Sequence, residues 1–157
     1  MFKQIILPLL AVIVFIVVVG IFVQKSTPIA PPQKTITINA VKISVQIADT
    51  EAKRTKGLSG VSNLDSGNGM LFIFGSKGVT PTFWMKDMLI PLDIIWINGG
   101  KIVRIDKNIP TPVSGTADIN LKIYSAGQPV DYVLEVNAEF SDKNNIKVGD
   151  AVDLTGI

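Results

Sequence analysis

Hydrophobic residues follow two different rhythms along this chain. Residues 5–23, "IILPLLAVIVFIVVVGIFV", form one apolar run without a charge, close to the ~20 residues that carry a helix across a bilayer. From residue 35 onward the pattern changes to period two, the mark of strands with one buried face. "TITINAVKISVQIA" places Ile36 and Ile38, then Val41, Ile43, Val45 and Ile47, in alternation around Asn39-Ala40, which predicts a hairpin or two short strands. Asp49 or Thr50 is placed to cap a short helix through "EAKRTK", with Gly57 as its left-handed stop. "GLSGVSNLDSGNG" reads as a loop leading into the strand "MLFIF" at 70–74.

The next pair of strands, "LDIIWI" and "KIVRID", flanks Asn98-Gly99, a preferred two-residue hairpin turn. With those residues as the turn, Ile97 faces Gly100, Ile95 faces Ile102 and Asp93 faces Arg104. A turn one residue later would set Asp93 opposite Asp106, which like-charge repulsion disfavours. "INLKIYSA" and "DYVLEV" read as further strands, "NAEFSDKNN" as a short helix capped by Asn137, and "IKVGDAVDL" as a turn and a last strand. The expected fold is mainly β, a compact sandwich or partly closed barrel with one or two short helices, preceded by a transmembrane helix.

The apolar run is longer than the core of a cleaved signal peptide, about 7 to 15 residues, and "QKSTPIAPPQK" after it offers no good cleavage motif. The expected organisation is a short cytoplasmic tail at 1–4, a signal anchor at 5–23, a Pro-rich spacer at 24–34 and an extracytoplasmic β domain at 35–157. An extended spacer of that length would hold the domain roughly 30 Å from the membrane.

Charge and composition then narrow the chemistry. The formal charge of +2 includes Lys3, Lys25 and Lys34. The domain keeps 12 of the 15 basic residues against all 13 acidic ones, so a nucleic-acid partner is not expected. There is no His and no Cys, which rules out Ser-His-Asp and Cys-His catalysis, His/Cys zinc sites and any disulfide. "NLDSGNG" at 63–69 begins like a calcium loop, but Gly67 and Phe74 stand where further oxygen ligands belong. Met70, Met85 and Met88 are thioethers of the kind that bind Cu(I), but Met70 opens an apolar strand and reads as core filler, copper being a minor alternative at Met85 and Met88; no cofactor or metal is expected. A Ser-Lys dyad would have to use Lys86 or Lys56, and a carboxylate pair Asp87 and Asp93, without a spacing that singles out either.

Four blocks in order, "RTKGLSG" at 54–60, "GMLFIF" at 69–74, "FWMKDMLIPLDIIWI" at 83–97 and "IKVGD" at 146–150, resemble the prokaryotic family called domain of unknown function 192. The resemblance implies a compact β-rich domain of sandwich or barrel type, often behind a signal peptide or membrane anchor, and no established reaction or ligand. Arg54, Gly57, Leu58, Gly69, Met70, Phe83, Trp84, Met85, Lys86, Pro91, Leu92 and Asp93 match the family pattern. Asp87 departs from it, since Asn is usual there, and Trp96 stands where a smaller aromatic is more usual.

A ligand-facing cluster is expected around Trp84 as a stacking wall, with Lys86 and Arg54 as donors to a sugar or anion and with Asp93 and Tyr124 nearby. Asp93 lies in a strand apolar on both faces, so its carboxylate needs a partner, for which Arg104 is the cross-strand choice. Met70 and Pro91 belong to the scaffold. The expected function is that of a membrane-tethered module binding a small ligand, glycan or envelope component. The alternatives are a structural or protein-interaction module and, last, an enzyme using Lys/Asp chemistry.

Overall fold

The computed structural model describes residues 33–157. The expected tail and anchor, and nearly all of the spacer, lie outside the described residues. Among those described, no helix is long and apolar enough to cross a membrane.

Among the described residues, seven strands form a single sheet: β1 (Lys34–Ile38), β2 (Val41–Ala48), β3 (Asn68–Ile73), β4 (Leu92–Asn98), β5 (Lys101–Ile109), β6 (Tyr132–Asn137) and β7 (Val152–Asp153), ordered β5-β4-β6-β3-β2-β1-β7. Only β2 and β3 are parallel, and a parallel pair needs a crossover. Helix α1 (Glu51–Lys56) lies in it. The two ends of the sheet then approach each other. Lys101 bridges Ala151, the Val152 N–H donates to the Gly100 carbonyl at 2.9 Å, and the Gly149 N–H donates to the Ile102 carbonyl at 2.8 Å. The result is a nearly closed barrel, which leaves little free edge.

Alternation along the strands separates two cores. Ile36, Ile38, Ile43, Val45, Leu71, Ile95, Ile97, Leu134 and Val136 fill the first, closed off by Phe140 and Ile146. The opposite face carries Met70, Phe72, Ile94, Trp96 and Val133, joined by Leu58, Met85 and Met88 from outside the sheet. That second face would be solvent-exposed in a bare barrel. Here α1 and the long connections 74–91 and 110–131 cover it, which is why β4 is apolar on both sides.

The first hairpin forms as its pattern predicts, with Ile38 opposite Val41 and Asn39 in the left-handed region at φ 54°. The β4–β5 register does not. Asn98 faces Lys101 and Ile97 faces Ile102, so Gly99-Gly100 make the turn at φ 55° and 70°. Two glycines meet the positive-φ demand of this turn at less steric cost than Asn98 and Gly99. The repulsion that argued against this register is avoided by bulges: a shift between Ile97 and Trp96 sets Trp96 opposite Arg104 and Ile94 opposite Asp106. Residues 119–126 form no strand. A 3-10 turn at Asp118–Asn120 and a single bridge between Tyr124 and Phe83 stand in their place.

Asp93 is fully buried, and Arg104 is not its partner. Its carboxylate accepts from the backbone N–H groups of Asn108 at 2.8 Å, Ser141 at 2.9 Å and Glu139 at 3.3 Å. The second helix, α2 (Phe140–Lys143), has no side-chain cap of its own, and Asp93 supplies one from β4. Asn137, expected to cap it, instead donates to the Leu64 carbonyl at 2.7 Å. Arg104 pairs with Asp106, which also accepts from the Trp96 indole N–H at 2.8 Å.

Candidate functional site

Thr50 accepts from the Lys53 N–H and starts α1, and Gly57, at φ 48°, ends it. The helix is anchored to the sheet through Arg54, whose Nη1 donates to the Ile73 carbonyl at 2.8 Å while its guanidinium lies 5.9 Å from the Phe74 ring centre. Facing α1 is the connection 74–91. Phe83 in this loop exchanges backbone hydrogen bonds with Tyr124, and the Gly60 N–H ties α1's exit to the Asp87 carbonyl at 2.9 Å. Asp87 has φ 55°, a left-handed conformation that Asn and Asp tolerate best.

Between α1 and this loop opens a cleft of about 390 Å³, within the size range of small-molecule sites. Its walls are Phe72, Phe74, Phe83 and Trp84, with Arg54, Lys56 and Lys86 around the opening and Glu135 beneath. Phe72, Phe83 and Trp96 stack edge to face, with centres 4.8 and 5.4 Å apart, which stiffens the wall. Trp84 is 44% exposed, and the Lys86 ammonium sits 5.8 Å from its ring centre.

Glu135 was not foreseen. It lies on β6 between Met70 of β3 and Ile94 of β4, only 5% exposed, and its Oε2 has no hydrogen-bond partner among the described residues. Burial away from any compensating charge raises its pKa to about 8, so at neutral pH the carboxyl is chiefly protonated. A buried acid of this kind facing a cleft is a recognised mark of functional sites.

Of the residues expected to form the site, Arg54, Trp84 and Lys86 line this cleft. Asp93 does not, because its carboxylate serves α2 and the β5 bulge. Tyr124 lines a neighbouring shallow depression with Met85, Lys122 and Pro112, its hydroxyl pKa raised by burial and, secondarily, by Asp106. Lys86 is hydrogen-bonded to Asp118, which raises its pKa. A Ser-Lys dyad needs the opposite direction. Met70, Met85 and Met88 are buried in the second core, and no group of three or more acidic metal ligands occurs among the described residues.

A family model described as "DUF192: Uncharacterized ACR" matches residues 34–154. No curated protein matches the chain. Among solved structures, one from Sinorhizobium meliloti, described as a putative transcription regulator, is 25% identical with a TM-score of 0.69, covering 80% of this chain and 95% of that one. A protein of unknown function from Novosphingobium aromaticivorans is 26% identical with a TM-score of 0.70, covering 80% of this chain and 89% of its own.

Proposed function

Taking as premise that the chain belongs to the DUF192 family, we propose that it is a membrane-tethered, extracytoplasmic module that binds a small ligand, glycan or envelope component in the cleft between α1 and the loop 74–91. The carrying observation is the unpaired, buried carboxyl of Glu135 under an opening lined by Trp84, Arg54 and Lys86. An unsatisfied buried polar group costs about 1–3 kcal/mol, and a ligand group able to bond it would offset that cost. The uncharged apolar run at 5–23, followed by a Pro-rich segment, supports the tether. The Sinorhizobium meliloti protein is described as a putative transcription regulator; for this chain a nucleic-acid partner is not proposed, because the domain lacks a basic excess.

The test is a thermal-shift screen of the full chain against oligosaccharides and small anions, repeated with Trp84→Ala and Lys86→Ala. At least one probe should raise the melting temperature, and either change should abolish the rise. Stabilisation that survives both substitutions would place binding elsewhere. Protein docking is the second reading, favoured by Leu89, Val113 and Ile119, which are 60%, 81% and 92% exposed on nearby loops. On that reading, Leu89→Ser and Ile119→Ser would weaken partner capture without altering any small-probe response.

A further inference from the structure

The cleft has an uneven distribution of charge along its depth. Arg54, Lys56 and the Asp118-paired Lys86 stand at the opening with a single acid, Glu51, while Glu135 is the acid on the floor. Arg54 spends one of its five donors on the Ile73 carbonyl, and Lys56 is exposed. The opening is therefore suited to an anionic group, and the floor to a group that bonds or neutralises the Glu135 carboxyl. The residues paired with Glu135 on the adjoining strands, Met70 and Ile94, are apolar and bring no charge to it.

We propose that the cleft binds a small zwitterion amine first, its ammonium pairing with the Glu135 carboxylate on the floor and its anionic end with Arg54 and Lys56 at the opening. This rests on the reading of the cleft as a ligand site and specifies which chemistry it takes. A hydroxyl could bond a neutral Glu135, but an ammonium alone supplies the counter-charge that makes an ionised carboxylate tolerable in an apolar floor. The rings of Phe72, Phe83 and Trp84 line the same cleft, and aromatic rings attract cations. A simple amine is disfavoured by the cations at the opening, and a simple carboxylate by the acid and rings below. A molecule carrying both charges at opposite ends satisfies both regions.

Because Glu135 holds a proton up to about pH 8, docking an ammonium against it releases that proton. Affinity then rises with pH, by up to about tenfold per unit below the carboxyl's pKa, and levels off above it. The charged groups lining the same cleft are Glu51, Arg54 and Lys56 from α1 and Lys86 from the loop. Glu51 is exposed.

The test is calorimetric titration of the full chain with ω-aminohexanoate, hexanoate and hexylamine, plus the shorter and longer ω-amino acids to match the cleft's depth. The two-ended probe of best length should bind at least tenfold more tightly than either one-ended probe. Its enthalpy should vary with the ionisation heat of the buffer as a proton is released. Glu135→Gln should remove both the amine preference and the proton release. Equal binding of aminohexanoate and hexanoate by the unaltered chain would overturn the proposal, and this comparison needs no variant to fold. So would an amine preference that survives Glu135→Gln. If no amino acid binds while a sugar or anion from the screen does, the zwitterion is wrong and the cleft stands; if no probe acts at the cleft, both fail.

Discussion

Glu135 is a burden to the fold that the proposed site would put to use. Its Oε2 has no hydrogen-bond partner among the described residues, and its pKa is raised by burial from 4.5 to about 8. The sign of the stability effect follows. Below about pH 4.5 the group is protonated in folded and unfolded chains alike, so it contributes no pH dependence. Between about 4.5 and 8 only the unfolded chain gives up the proton, and stability falls as pH rises. Above about 8 both states are ionised and the fall levels off. The total is on the order of a few kcal/mol. Urea unfolding of the full chain should show this decline between about pH 5 and pH 9, and Glu135→Gln should flatten it. Glu135→Leu should be more stable than the parent at high pH while losing the ligand response, as expected of a residue retained for function. An unchanged pH profile in Glu135→Gln would show that the carboxyl is solvated or paired. In the sequence, "DYVLEV" alternates so that Asp131, Val133 and Glu135 share one side, and an acid there reads as an ordinary outward residue. What buries it is the cover of α1 and two long loops, and strand periodicity does not report which loops fold over a face.

At the scale of elements, local signals were legible and tertiary ones were not. The β1–β2 hairpin, α1 with its Thr50 cap and Gly57 stop, and the strands around 70–73 and 132–137 rest on neighbours in sequence, and they form as their patterns predict. The β4–β5 register differs first because Gly99-Gly100, not Asn98-Gly99, make the turn, and then because two bulges absorb residues that a regular ladder would count. The turn separates Asp93 from Arg104, the bulges move it off Asp106, and its carboxylate serves α2, a helix of four residues that is too short to be stable alone. Asp93 is therefore a clamp joining three elements: β4, the Asn108 bulge of β5 and the first turn of α2. Asp93→Asn should cost about 2 kcal/mol, and Asp93→Ala about 3 or more, because buried N–H donors lose a charged acceptor. Arg104→Ala, at the exposed end of its pair with Asp106, should cost about 1 kcal/mol or less. Chemical denaturation of both single variants and the double should give effects that add within about 0.5 kcal/mol. A larger coupling would show that the two side chains interact after all. The cleft was legible in the same partial way. Arg54, Trp84 and Lys86 stand out as cations and an aromatic in polar surroundings, whereas the dispersal of Asp93 and Tyr124 depends on the bulges and the Phe83–Tyr124 bridge.

For the whole molecule, the barrel and its covered outer face divide the work. Closure through Lys101 and Ala151 fixes the sheet, and the cleft occupies the cover, where loops can vary without disturbing the first core. The matched structures are spanned by the alignment over 95% and 89% of their own lengths, so proteins consisting of little more than this domain fold. The described residues, 33–157, likewise fall within one compact unit. On the proposed organisation, the apolar run at 5–23 locates the domain and takes no part in its chemistry. A chain beginning at residue 32 should then unfold cooperatively within about 1 kcal/mol of the full chain and keep the same probe response. It should also pass from the membrane pellet to the soluble fraction. In intact cells, protease added outside should remove the domain from the full chain. Digestion only after the cells are opened would reverse the proposed orientation, and membrane association that persists without residues 1–31 would shift the tether onto the exposed apolar loops. Loss of folding on truncation would show that the barrel depends on the segment before it, a dependence that neither the two filled cores nor the matched structures call for.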